Sequence, residues 1–143
     1  MKLIAHRGNT DGPRPALENS PAYLLKAIDA GLDVEVDVWV QDGKIYLGHD
    51  EPQYLVDNAF IDLIRDSAWF HCKNIEALNF FAGKDKDLYR HFWHEKDQYT
   101  LVSNGVIWAY PGTELSKNAI IVDLNEDYSY DPNGVFGICF DYI

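Results

Sequence analysis

The strictest pattern in the chain lies between Asp33 and Val40, where Val34, Val36, Val38 and Val40 alternate with Glu35, Asp37 and Trp39. Strand side chains point to opposite faces in turn, so this stretch reads as a strand with a valine face for helices and with Glu35 and Asp37 projecting together from the other. Upstream, the apolar run Lys2 to His6, stopped by Gly8, reads as a strand with Arg7 and Asn9 at its carboxyl end. A Pro-rich loop, Asp11 to Glu18, then leads to Ser20, which can cap a helix carrying Pro21 in its first turn, Leu24, Leu25 and Ile28 on one side, and Gly31 just beyond its end. Downstream, Asp42-Gly43 is a turn signal, so Val40 to Leu47 reads as a hairpin excursion that returns His49 and Asp50 to the neighbourhood of Glu35 and Asp37. Asp57 to Asp66 suits a short helix buried through Phe60, Ile61 and Ile64. Trp69 to Lys73 reads as a strand with His71 and Lys73 on one face and Cys72 on the other, and Ile75 to Ala82 as a third helix. The order β, α, β, α, β, α points to a parallel sheet with crossover helices.

Beyond Gly83 the helical periodicity stops. Tyr89 to His94, Val106 to Tyr110, Ala119 to Leu124 and Val135 to Tyr142 read as strands, with connections too short for ordinary crossover helices. Asn104-Gly105, between Tyr99-Thr100-Leu101-Val102 and Val106-Ile107-Trp108, predicts a hairpin whose first arm adds antiparallel to the rest.

The 143 residues hold one domain, with no internal repeat or linker, and fall short of the ~250 of a full (β/α)8 barrel. A formal charge of −11 repels nucleic acid and anionic membranes, so an anionic substrate needs a local positive site. No apolar run approaches a membrane span and the first residues carry no signal-like region, which argues against stable membrane insertion and for a cytoplasmic location. Cys72 and Cys139, far apart and matching no zinc or redox spacing, read as buried thiols, with a disulfide left open. Oligomeric state has no signature in the pattern.

The chemistry-bearing residues cluster at the ends of the early strands: His6-Arg7, Glu35-x-Asp37 and His49-Asp50. Two histidines, an arginine and a carboxylate pair are the equipment for metal-assisted cleavage of a phosphate ester. Three other stretches carry less. His91 and His94 fall on opposite faces of a strand, and His94-Glu95 followed by Gln98 fails the zinc-protease pattern. Trp39, Trp93, Trp108 and Tyr110 suit core and rim. Asp123 to Asp131 has Tyr128 where a calcium loop needs glycine and reads as a solvated acidic loop.

His6-Arg7-Gly8, Glu18-Asn19, the Ala27 to Gly31 helix end, Glu35-x-Asp37, Asp42-Gly43 and His49-Asp50 stand in the order and near the spacing of the glycerophosphodiester phosphodiesterase family, which this chain resembles. The family shares its barrel with phosphatidylinositol-specific phospholipases C. The resemblance covers the first third well, Trp69 to Lys73 in part, and Gly137 to Tyr142 faintly. It implies an α/β fold, here a compact, reduced TIM-like (β/α) barrel with helices mainly in the first half. It implies hydrolysis of a small phosphodiester, with His6 and His49 as the acid/base pair, in an order the residues leave open, and with Arg7 and Lys73 holding the phosphate. Glu35 and Asp37 would bind one divalent cation. The family's third acidic ligand is replaced by His71, which is then either a ligand or a nearby polar group; imidazole shifts preference from Mg²⁺ or Ca²⁺ toward Mn²⁺ or Zn²⁺. The family's cap insertion after His-Asp is missing, which opens the mouth, and His94, Trp108 and Tyr110 are candidates for its wall. Two alternatives stay open: a degenerate phosphate-binding module on the same barrel, and a phospholipase-like lyase forming a cyclic phosphate.

Overall fold

A computed structural model of the chain describes residues 1–126 and 133–143, so the later part of the Asp123–Asp131 acidic stretch lies outside the described residues. Ten strands and three short helices follow in order: β1 (Lys2–His6), α1 (Pro21–Asp29), β2 (Asp33–Gln41), β3 (Lys44–Leu47), β4 (Tyr54–Val56), α2 (Asn58–Ile64), β5 (Ala68–Cys72), α3 (Ile75–Ala82), β6 (His91–Phe92), β7 (Tyr99–Leu101), β8 (Ile107–Ala109), β9 (Ala119–Val122) and β10 (Gly137–Phe140). Each helix begins at a side-chain cap: Ser20 accepts from Tyr23 N–H, Asp57 from Phe60 N–H and Asn74 from Ala77 N–H.

The ten strands form a single mixed sheet, ordered β4-β3-β2-β1-β10-β9-β8-β7, with β5 and then β6 built onto the other edge of β2. It curls into a half-barrel. The expected TIM-like barrel of alternating β/α units is therefore incorrect. Strands dominate, β2-β3-β4 is an antiparallel meander, β7 runs antiparallel to β8, and no described helix follows α3. The physical reason is length: the links from β6 to β7, β7 to β8 and β8 to β9 are too short for a crossover helix. The late strands are also shorter than their apolar runs suggest, β6 being two residues and β8 three.

Three apolar clusters hold the sheet. On its outer face Val34, Val36, Val38 and Val40 pack with Leu24, Ile61, Phe70 and Phe81 beneath the helices. Inside the curl, Ile4, Trp69, Phe92, Trp108, Ile120, Val122 and Cys139 form a second core, in which Trp69 and Trp108 lie 6.1 Å apart between centroids. Behind the last strands Ile121, Val135, Ile138 and Phe140 pack with Leu3, Leu115 and Tyr142, which are strand-end and loop residues. Both cysteines are free and buried. Parallel pairing of β1 with β10, Lys2 opposite Gly137 through Ala5 opposite Phe140, joins the two ends of the chain. A Cβ on Gly137 would meet the Lys2 carbonyl oxygen at 2.8 Å, so this seam closes only around glycine. No helix among the described residues is long and apolar enough to cross a membrane.

Candidate functional site

Strand register brings the chemistry together. His6 stands opposite Glu35 and Asp37 opposite His71, and because side chains two apart share a face, Glu35, Asp37 and His71 all point inside the curl above the Trp69 core. Arg7 N–H donates to the Glu35 carbonyl and Gly48 N–H to the Asp37 carbonyl, so the residues after β1 and after β3 meet alternate carbonyls along one edge of β2. Gly48 permits this approach: its φ is +153°, and a Cβ there would meet the Glu51 carbonyl oxygen at 2.1 Å. His6, Arg7, Glu35, His49, His71 and Lys73 consequently line one cavity of about 390 Å³, as do His94, Trp108 and Tyr110. Asp37 does not line this cavity; it is fully buried, with Oδ1 3.2 Å from His71 Nδ1.

The carboxylates are held unequally. Asp37 Oδ2 accepts from Asn19 Nδ2 at 2.8 Å and lies 3.4 Å from Arg7 Nε. Burial alone would raise the Asp37 carboxyl; the His71 and Arg7 cations and Asn19 overcome it and hold the group well below the usual carboxylate range. His71 Nδ1 sits 3.2 Å from Asp37 Oδ1 and 3.4 Å from Glu35 Oε1, and Lys73 Nζ is 4.0 Å from Asp37 Oδ1. These are ion-pair distances. Even so, Asp37 Oδ1 and Glu35 Oε2 are buried without a hydrogen-bond partner. Buried carboxylate oxygens left in that state are costly, and they mark where a cation fits.

His71 can answer that charge in two ways. Its Nε2 lies 3.1 Å from the His94 carbonyl oxygen, an acceptor, so Nε2 carries a hydrogen and Nδ1 faces the carboxylates. Protonated, Nδ1 is an internal cation; burial opposes this, but Asp37 and Glu35 outweigh it and push the imidazole up to about 9. Neutral, Nδ1 presents a lone pair within 4.8 Å of a carboxylate oxygen of Glu35 and of Asp37, a compact one-nitrogen, two-acid donor set. The residues therefore fit a divalent cation, with the His94 carbonyl orienting the imidazole.

The histidine pair differs in setting. His6 is buried, its Nδ1 2.9 Å from Asp141 Oδ1 and its Nε2 4.0 Å from Glu35 Oε2. Desolvation pulls the His6 imidazole toward neutrality, yet the Asp141 bond and the charge of Glu35 leave it raised above 6.5. His49 is half-buried, with Nδ1 2.8 Å from Oδ1 of the exposed Asp50. Both pairings leave Nε2 as the working nitrogen.

Comparisons with protein-family models, with curated proteins and with solved structures each find no match to this chain.

Sequence reading missed Asp141. It lies 135 residues from His6, and its signal was only the Gly137 to Tyr142 stretch. It also missed Asn9, whose Nδ2 donates to Asp141 Oδ1 at 2.8 Å and to Glu18 Oε1 at 2.9 Å, while Glu18 Oε2 accepts from Arg7 Nη1 at 3.2 Å. Glu18 and Asn19, known only as spelling, are thus the buried residues that hold Arg7 and Asp37 in place. His94 stacks on Tyr110 at 4.1 Å, which forms the aromatic wall opposite the charged residues.

Proposed function

We propose that this chain is a metal-dependent phosphodiester hydrolase of the glycerophosphodiester phosphodiesterase type. The observation that supports the reading most is the Glu35–Asp37–His71 cluster beside the cavity lined by His6, His49, Arg7 and Lys73: buried Glu35 Oε2 and Asp37 Oδ1 have no hydrogen-bond partner, and His71 Nδ1 lies 3.4 Å from Glu35 Oε1 and 3.2 Å from Asp37 Oδ1. A phosphodiester is anionic and poorly electrophilic, so cleavage requires charge neutralisation at the phosphoryl oxygens, a base for water and an acid for the leaving alkoxide. Arg7 and Lys73 bind and orient the phosphate. Glu35, Asp37 and His71 would hold the cation, which when bound supplies Lewis-acid neutralisation of the phosphoryl oxygens. The Asp141 carboxylate fixes His6 with Nδ1 protonated, so that neutral Nε2 can take a proton, as a general base must. His49 donates or accepts the second proton from the rim.

One observation favours a second reading. Protonated His71 balances the two carboxylates without any ion, as a non-hydrolysing phosphate-binding module requires. A generic chromogenic phosphodiester, assayed with Mg²⁺, Ca²⁺, Mn²⁺ or Zn²⁺ and with chelator, separates the two. Metal-dependent turnover that disappears in His6→Ala and in His49→Ala supports the enzyme. Phosphate-ester binding without turnover under every metal supports the module.

A further inference from the structure

Glu35, Asp37 and His71 leave the shell of a divalent cation incomplete. Asp37 Oδ2 accepts from Asn19 Nδ2 at 2.8 Å and faces Arg7 Nε at 3.4 Å, so Asp37 has one oxygen to offer, Oδ1. His71 offers one nitrogen, because its Nε2 donates to the His94 carbonyl. Glu35 offers its two oxygens at most, of which Oε2 is buried without a hydrogen-bond partner. Mg²⁺ and Mn²⁺ take about six ligands and Ca²⁺ about six to eight, so such an ion keeps positions open even after a phosphoryl oxygen has bound.

A further carboxylate stands on the wall of the same cavity. Among the described residues, Glu35 and Glu95 are the two acidic side chains that line it. Glu95 follows His94, whose carbonyl oxygen lies 3.1 Å from His71 Nε2, so its backbone is tied to the imidazole that faces Glu35 and Asp37. The segment around it is fastened at both ends: the Trp93 carbonyl accepts from Thr100 Oγ1 at 2.8 Å, the Gln98 carbonyl accepts from Tyr110 N–H at 3.0 Å, and the His94 ring stacks on Tyr110. The Glu95 side chain, by contrast, is exposed and makes no hydrogen bond or ion pair among the described residues. Its carboxylate lies outside the set of donor atoms that Glu35, Asp37 and His71 bring within 4.8 Å of one another. A glutamate on a fixed backbone shifts its carboxylate by several ångströms through rotamer changes alone, and here it gives up only water to do so.

Building on the metal-dependent reading of this cavity, we propose that Glu95 is a further ligand of the cation at Glu35, Asp37 and His71, brought onto it by rotation of its own side chain. The donors on β2 and β5 fix where the ion sits. Glu95, from the connection between β6 and β7, is added once the ion is present and replaces water on its cavity side, while the positions left over face the phosphate.

The test is Mn²⁺ binding to the full chain stripped of metal, measured by calorimetry without substrate. Glu95→Gln is expected to raise the dissociation constant at least about tenfold, since even the outer partners of a metal site are worth roughly that much. Asp97→Asn removes the same charge from the same exposed segment, but from a residue that does not line the cavity, and is expected to leave the constant within about twofold. Water-proton relaxation separates ligation from attraction at a distance. With Glu95→Ala a water takes the vacated position on bound Mn²⁺ and the relaxation enhancement rises, whereas loss of a distant charge leaves it unchanged. A Glu95→Gln constant no weaker than that of Asp97→Asn, or an unchanged enhancement in Glu95→Ala, overturns the proposal and leaves the phosphodiesterase reading standing. Failure of the wild-type protein to bind Mn²⁺ overturns the proposal, and failure to bind Mg²⁺, Ca²⁺ or Zn²⁺ as well overturns the metal-dependent reading with it.

Discussion

The half of the sheet containing β1, β2, β5 and β6 is backed by α1, α2 and α3, whereas β9 and β10 are backed by residues outside the helices, Leu3 of β1, Leu115 and Tyr142. The helix-backed half contributes Arg7, Glu35, Asp37, His71 and Lys73, and the meander grown from it contributes His49. The loop-backed half contributes Trp108 and Tyr110 to the cavity wall and the carboxylate of Asp141, aimed at His6. Proton transfer and charge stabilisation require atoms held to fractions of an ångström, and elements packed on both faces provide that; a wall that sorts substrates tolerates more play.

The sharpest way to break this division is to remove a working group from the helix-backed side. His6→Ala is expected to lower phosphodiester turnover by roughly 10²–10⁴-fold, with metal affinity retained by calorimetry. Asp37→Asn comes next. It removes one member of a buried ion-pair network, a change that typically costs roughly 3–5 kcal/mol, and it is expected to lower the melting temperature together with metal affinity. A comparison of outer cores follows: Ile61→Ala, on the fully buried face of α2, is expected to cost roughly 2–5 kcal/mol in denaturant unfolding, and Leu115→Ala, half-buried behind β9, distinctly less. Equal losses would remove the contrast between the halves.

Asp141→Asn is the exception that sharpens it, because there the loop-backed half reaches the chemistry. Without the carboxylate the raised His6 imidazole falls, so the acid limb of the pH–rate profile should move to lower pH, with turnover near neutrality reduced about 10- to 100-fold. The smallest effect concerns metal-free protein. His71 is raised from 6.5 to about 9, so its protonation stabilises the fold fully below pH 6.5, and that contribution is lost as pH rises through about 9. Melting temperatures in chelator should decline across this window, and His71→Gln should flatten the slope.

How much could be read beforehand follows the same division. The Val34–Val40 alternation was legible because its faces have opposite chemistry, one packing on helices and the other entering the site. The three capped helices were legible for a similar reason, their start signals being local. In β9 and β10 every residue is buried, so period two carries no information and the expected strands extended past their observed ends. β4 went unread as a three-residue edge strand, and with it the meander that helps make the sheet mixed. The reduced TIM-like barrel, taken from the family resemblance together with the first half's β/α order, was the wrong fold class, because the later strands join a mixed sheet. Asp141 escaped because its meaning depends on a partner at the other end of the chain.

The Lys2–Gly137 seam has a consequence for biosynthesis. β1 is made before β10, so it finds one of its two neighbours only after residues 137–140 have been made, and bridging so long a separation is entropically slow. Until then one edge of β1 remains unpaired and His6 lacks Asp141. The His6–Asp141 pair is therefore completed in the same event that closes the sheet.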